Sequence, residues 1–383
     1  MKRSLALDVF RGLTVAFMIL VNNPGSWSAV FSPLGHADWH GLTFADLVFP
    51  FFLFAVGNAQ SIVLPKFLEG HTSQYYFKKV LIRTFFIFSI GFLLSWYPFL
   101  TWVQKDLQFK AWTWINSEGV QVGIRVMGVL QRIALAYGFS ALITYFFPRK
   151  VLTVSLVILA LYWGLCVAFG TGDVYSLEGW FGVGVDRLIL GQSHLYQGEG
   201  VPFDPEGIMS TIPSVAQVML GYWIGRILIA YNPRRTIKAL IKRGFILFSL
   251  GCLWHFLHPI NKKIWTGSYV LVTTGLAILV LAILVKCLDQ KRLNWRWTRF
   301  FEAFGKNPLF IFVLSGIVPK TLSLIRFKFQ DDYSTPFVWI YENAFAHFPG
   351  HPGMGSLLFS LTLVCLYGLL AMWLDRKRIY FRV

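Results

Sequence analysis

The sequence predicts an all-α membrane protein, a polytopic bundle of about ten transmembrane helices with both termini cytoplasmic. Three observations lead there. The 383-residue chain is 56% hydrophobic and only 14% charged, whereas soluble domains are about 25% charged. Its apolar residues cluster in runs close to the roughly 20 residues that a helix needs to cross the hydrocarbon core. Its basic residues are dense in every second connecting segment and sparse in the others. An ordinary soluble enzyme and a disordered chain are both excluded, and no run shows the short strict alternation of a membrane barrel strand.

The runs justify themselves in order. The first, 6–23, follows Met1-Lys2-Arg3 and ends at Asn22-Asn23-Pro24 without a small-x-small cleavage site, so it reads as a retained span. The second, 44–64, begins at Asp46, and the third, 78–97, opens on Lys78 and Lys79. The fourth, 122–147, contains Arg125 and Arg132 and stops before Arg149-Lys150. Then come 151–169, and 208–230 after Asp204-Pro205-Glu206-Gly207. The run 244–258 follows the basic stretch from Arg234 to Arg243, and 267–286 follows Pro259-Ile260-Asn261-Lys262-Lys263. The ninth, 300–319, includes Gly305-Lys306-Asn307-Pro308, and the tenth, 355–374, is followed by Arg376-Lys377-Arg378.

With the N-terminus inside, 23 of the 35 basic residues fall in inner segments and eight in outer ones, with Arg11, Arg125, Arg132 and Arg226 inside spans. This bias accounts for most of the net charge of +17 without any nucleic acid. Most acids, among them Glu118, Asp173, Asp186, Glu199, Asp204, Glu206 and Asp331, fall outside. The chain reads as one integral-membrane domain over 1–383, located in the inner or plasma membrane. Outer loops near 98–121, 170–207 and 320–354, rich in Gly, Pro, Trp and His, are suited to lid a site or bind a partner. Cys166, Cys252, Cys287 and Cys365 form no CxxC pair, which argues against a zinc ribbon or a disulfide framework.

The densest polar cluster lies between the first two runs, from Asn22 through Gly35-His36-Ala37-Asp38-Trp39-His40-Gly41 to Asp46, at the expected outer face. His36 can serve as base or nucleophile near neutral pH. Asn22 can donate to a developing oxyanion, and Asp46 can orient an imidazole. The plain alternative is an interfacial turn with polar caps. His36 and His40 stand four apart, a spacing that suits a metal on one helix face, but Gly35 and Gly41 oppose a helix there and no third ligand is evident, so no metal is expected.

Arg125 and Arg132 are seven apart, about two helical turns, so a continuous helix would put them on one face. They read equally as an anion path or as an internal ion pair with Asp8 or Asp46. At Gly305-Lys306-Asn307-Pro308, Asn307 suits an N-cap and Pro308 the first helical position. Free N–H groups beside Lys306 suit a phosphate, and a simple capped helix is the alternative. Arg11, three residues from Asp8, is either a salt bridge or a second phosphate contact.

Several stretches resemble the heparan-alpha-glucosaminide N-acetyltransferase family. They are Leu7-Asp8-Val9-Phe10-Arg11-Gly12-Leu13-Thr14, Val21-Asn22, His36-Ala37-Asp38-Trp39-His40-Gly41-Leu42-Thr43-Phe44-Ala45-Asp46, the Arg125–Arg132 stretch, Asp204-Pro205-Glu206-Gly207 and Pro259-Ile260-Asn261-Lys262. They run in order from near residue 5 to near residue 310. The resemblance implies a transmembrane acyltransferase that takes acetyl from cytoplasmic acetyl-CoA and places it on an amino sugar across the membrane. It implies that His36 is catalytic, with Asn22 its partner at the thioester, and that the protein is a homodimer. The CoA phosphates are expected at Arg11, Arg125, Arg132, Lys306 and Asn307, and the acceptor at Asp38, His40, Glu206, Asn261 and Lys262. The match lacks the extra N-terminal luminal segment and first span of the animal enzyme. Position 40 is His where the animal motif has Asn, and Pro24-Gly25 with a longer insert replaces a glycine run. These departures point to small amino sugars or envelope glycan fragments as acceptors. An O-acyltransferase acting on envelope polysaccharide is the nearest alternative. A sugar or anion transporter is further off, because no repeat is visible and the polar cluster lies at one face.

Overall fold

The computed structural model describes residues 4–103, 106–116, 119–230, 233–291, 293, 295–329, 332–351 and 353–381. Lys2, Arg3, Lys105, Glu118, Arg292, Asp331 and Arg382, which figure among the expected flanking charges, lie outside the described residues.

Every predicted run contains a helix. α1 (Leu5–Asn22) starts at Ser4, whose hydroxyl accepts from Leu7 N and donates to Asp289. α2 (Val48–Leu68) follows a 3-10 turn at Ala45–Leu47, and α3 (Ser73–Trp96) is capped by Thr72. α4 (Val129–Phe146), α5 (Val151–Phe169), α6 (Phe181–Leu190), α7 (Ile208–Ala230) and α8 (Pro233–Trp254) follow. α9 (Gly267–Leu284) runs on into a π turn, Val285–Gln290. The chain closes with α10 (Arg296–Lys306), α11 (Pro308–Leu322), α12 (Pro336–Ala344) and α13 (Gly353–Arg376).

Among the described residues seven of these helices are long and apolar enough to cross a membrane, and α10 with α11, bent by 83°, makes an eighth if the pair is one span. The seven are α1, α2, α4, α5, α7, α9 and α13. The two other predicted spans are α3 and α8, of 24 and 22 residues. Both have the length, but Lys78, Lys79 and Arg83 in one and Lys238, Lys242 and Arg243 in the other dilute their first turns.

The fourth span starts later than its sequence suggested. Among the described residues the loops carry three antiparallel strand pairs: β1 (Leu100–Val103) with β2 (Asp106–Phe109), β3 (Thr113–Ile115) with β4 (Gln121–Gly123), and β5 (Phe327–Phe329) with β6 (Asp332–Ser334). β4 takes residues expected in a helix. Ile124 N then donates to Trp112 O and Val126 N to His194 O, so these N–H groups are satisfied outside a helix. Arg125 therefore precedes the helix that carries Arg132, and the two do not lie two turns apart on one helix face.

α7 packs against α2, α4, α5 and α9. Glycine sets its closest approach: a Cβ on Gly57 of α2 would overlap the Val218 carbonyl, and one on Gly221 would overlap the Phe54 carbonyl. α1 and α10 meet likewise through Gly12 and Gly305. Small residues of this kind let helices associate closely where lipid removes the usual hydrophobic drive.

The ends of the bundle differ. At one end Ser4 bonds to Asp289, Arg11 to the Gly305 carbonyl, and Lys306 to Asp375. At the other, the loops converge: Gly41 N donates to Ile260 O at 2.8 Å and Trp39 Nε1 to Tyr175 O at 2.7 Å. Under that second end lies a small separate core of Tyr162, Cys166, Trp180, Val183, Phe203 and Ile264.

Candidate active site

Asp46 is the hub of the loop end. It sits in the 3-10 turn that opens α2 and is 1% exposed. Its Oδ2 accepts from Ala37 N at 3.1 Å, Thr43 N at 3.0 Å and Thr43 Oγ1 at 2.9 Å. These three bonds fold the 37–43 loop around the carboxylate. Oδ1 is left for His36 Nδ1, at 2.8 Å, and for Lys262 Nζ, at 3.3 Å. Tyr269 Oη donates to the Asp46 carbonyl at 2.6 Å and pins the turn to α9. The His36 side chain remains 39% exposed, so the imidazole is oriented by a buried acid yet open to a reactant.

Lys262 is delivered by a tight turn that Asn261 builds. Asn261 Oδ1 accepts from Ile264 N at 3.0 Å, and its backbone N and O pair with Thr266. The Asn261 amide also reaches His40 Nδ1, at 3.4 Å. Lys262 Nζ lies 2.9 Å from His36 Nδ1 and 3.2 Å from Nε2. Burial pulls the Lys262 ammonium below its ordinary range, and Asp46 and Glu206 pull it back part of the way. Burial also lowers His40, against the attraction of Asp173. Next to this trio, Lys263 pairs with Glu199 at 2.5 Å and lies 5.7 Å over the Trp39 ring.

Arg125 holds Asp204 through two bonds, of 2.8 and 2.5 Å, and reaches Glu206 at 2.5 Å. Burial opposes this guanidinium, but the two carboxylates outweigh it and raise it above its ordinary range. Arg132 is completely buried and donates to the Pro205 and Gly207 carbonyls and Ser210 Oγ. Its guanidinium stacks 4.9 Å over Trp265. The Arg125 ion pair is therefore made with Asp204 and Glu206, and not with the expected Asp8 or Asp46. The acids were too far along the chain, about 80 residues, for spacing to reveal them.

Nearly the whole chain aligns with two curated proteins. It is 27% identical to heparan-alpha-glucosaminide N-acetyltransferase of Mus musculus over 435 aligned residues, covering 98% of this chain and 60% of that protein. It is 27% identical to the Homo sapiens protein of the same name, covering 99% of this chain and 59% of that one. The chain is similar to the heparan-alpha-glucosaminide N-acetyltransferases along nearly its whole length. It spans about 60% of the length of the relatives it matches. No family model matches it.

The expected site residues divide between the two ends of the bundle. His36, Asp46, Lys262 and Glu206 gather at the loop end, with Asn261 and His40 beside them. Asp38 is exposed on the same loop, and Asn22 is the exposed last residue of α1. Arg125 and Arg132 also stand here, bound to the 204–210 segment. Arg11, Lys306 and Asn307 are at the opposite end, each with protein partners. Arg11 bonds to Asp8 and the Gly305 carbonyl, and Lys306 to Asp375 and Glu302. Asn307 is fully buried and does not cap α11 with its side chain. Its amide instead holds the C-terminal segment, donating to Ile379 O and accepting from Phe381 N, both at 2.9 Å.

His36 and His40 lie in an irregular loop, and among the described residues no group of three or more His, Cys, Asp or Glu is placed to hold a metal. Sequence reasoning gave Asp186 no role. It is 2% exposed, its Oδ1 accepts from Ile208 N at 3.1 Å and Met209 N at 3.2 Å, and burial pushes its carboxyl up to about 7. It thereby anchors the start of α7. Its position 22 residues before that helix left no local signal.

Proposed function

We propose that this protein is a transmembrane N-acetyltransferase that moves acetyl from cytoplasmic acetyl-CoA to the amino group of glucosamine or a related amino sugar at the extracytoplasmic face. The observation that carries the reading is the Asp46–His36 pair, an oriented and accessible imidazole with its Nδ1 on a buried carboxylate at 2.8 Å. The similarity to two acetyltransferases over almost the entire chain supports it.

In this reading His36 Nε2 takes the proton from the acceptor's amino group as nitrogen attacks the thioester carbonyl. The C–S bond breaks, an amide forms, and the proton passes to the departing thiolate. Asp46 holds the ring and offsets the charge of the imidazolium, as in acid–His pairs generally. Asn22, exposed at the end of α1, donates to the carbonyl oxygen as it becomes negative. Such a donor is worth about 10²–10³ in rate. Glu206, Asp38 and His40 contact the acceptor. Arg11, beside the α10–α11 bend, takes a CoA phosphate by exchanging its carbonyl partner, while Lys306, paired with Asp375 and Glu302, and Asn307, bound to the C-terminal segment, shape that end of the bundle. A homodimer and a plasma or inner membrane location belong to the same proposal.

The test is to follow CoA release and N-acetylglucosamine formation by purified protein given acetyl-CoA and glucosamine, with and without His36→Ala. The variant is expected to lose at least about 10³ of the rate, the scale of removing a positioned base together with its nucleophilic nitrogen. Unchanged turnover in His36→Ala would remove the site assignment. Turnover only with sugars that lack an amine would replace N-transfer by O-transfer.

A further inference from the structure

Lys262 touches the ring that the proposed reaction uses, and the hydrogen-bond balance says how. His36 Nδ1 faces Asp46 Oδ1 at 2.8 Å. A bare Nδ1 would set its lone pair against those of the carboxylate, so Nδ1 carries the hydrogen and donates it. The lone pair of the neutral ring is then on Nε2, while Lys262 Nζ, 2.9 Å from Nδ1 and 3.2 Å from Nε2, lies alongside the ring and off the axis of that lone pair. The same ammonium is 3.3 Å from Asp46 Oδ1, so it spans the acid and the base. It has little freedom to leave, because its side chain is only 16% exposed and its backbone is set by the Asn261 turn.

We infer that Lys262 is a positioning residue: its ammonium shares Asp46 with the ring, opposes a second positive charge on His36, and so keeps the Nε2 lone pair ready for a proton. The inference rests on the proposed role of His36 as a base and adds to it a control of the ring's protonation. Two positive charges within about 4 Å repel strongly at the effective dielectric of a half-buried site. Without Lys262, Asp46 would act on His36 alone and favour the imidazolium.

The surrounding charges leave Lys262 in that place. Asp46 comes from the turn before α2, and Glu206 and Lys263 stand behind Lys262. Arg125 and Asp204 engage Glu206, while His40, with Asp173 and His255 near it, lies against Asn261. Only Lys262 is a cation within hydrogen-bond reach of the ring among the described residues.

The experiment measures the rate at which diethyl pyrocarbonate modifies His36 as a function of pH, by peptide mass spectrometry on the full-length protein in detergent. The reagent attacks only the neutral ring and needs no acetyl-CoA. Lys262→Met and Lys262→Gln are expected to move the midpoint up by about one pH unit or more, which makes the neutral ring about tenfold scarcer below it. Lys262→Arg is expected to hold it near wild type. The acid limb of the transfer rate should move by the same amount. A midpoint unmoved in both neutral variants, with folding confirmed by gel filtration, overturns the inference, and so does a shift in Lys262→Arg equal to that in Lys262→Met. If the midpoint moves but wild-type protein transfers acetyl to no amine, the charge control stands and the proposed function falls.

Discussion

Replacing Asp46 by Asn separates orientation from mere burial. The carboxylate accepts three donors from the 37–43 loop at Oδ2 and two, His36 and Lys262, at Oδ1. An amide has one oxygen. If that oxygen stays with the loop, the NH₂ group takes the Oδ1 place and points hydrogens at His36 Nδ1 and the Lys262 ammonium. The ring can answer only by presenting a bare Nδ1, which moves its hydrogen to Nε2 and removes the base. In a Ser–His–Asp site the same tautomer error costs about 10⁴ in rate. The expected loss here is about 10³–10⁴, measured as acetyl-CoA-dependent CoA release with saturating glucosamine. The buried bonds that remain mispaired should lower stability by about 1–3 kcal/mol, seen in thermal unfolding in detergent. A variant that folds normally and keeps more than about a tenth of wild-type turnover would refute the reasoning, because the oriented imidazole would then not be what the chemistry uses.

Two other predictions concern the neighbouring charges. Arg125→Met leaves Asp204, whose side chain is 0% exposed, and Glu206 without their cation. Breaking a buried pair from one side costs about 3–5 kcal/mol, so the variant should unfold well below wild type, and adding Asp204→Leu and Glu206→Leu should recover most of the loss. Asp186 has its carboxyl raised by burial to about 7, above the ordinary 3.8, so the folded state prefers it protonated. Its contribution is fully present below about 4 and is lost as pH rises through about 7. Asp186→Asn keeps an oxygen for Ile208 N and Met209 N and should flatten the fall in stability between pH 4 and 7. The gain at pH 8 is expected to be up to about 4 kcal/mol, at 1.36 kcal/mol per pH unit. Equal pH slopes in wild type and variant would refute it.

The sequence by itself determined the bundle. Periodic runs of about 20 apolar residues have few alternatives in lipid, because only a helix satisfies every backbone group within its own segment. It also determined the two residues at the centre of the candidate site, since His36 and Asp46 lie ten apart in one polar segment between two apolar ones. What tertiary structure decided is which distant residues meet there. Lys262 reaches His36 across 226 positions and Arg125 finds Asp204 across 79, through hydrogen bonds that carry no local signature. The start of α4 was decided in the same way, because the 121–126 backbone bonds to β3, Trp112 and His194 instead of to itself. Asn307 shows the reverse case: it has the composition of a helix cap, yet the returning C-terminal segment claims both ends of its amide. Local pattern is set by the solvent each residue meets, whereas partner choice is set by which loops close over the same end of the bundle, and only the folded chain brings those loops together.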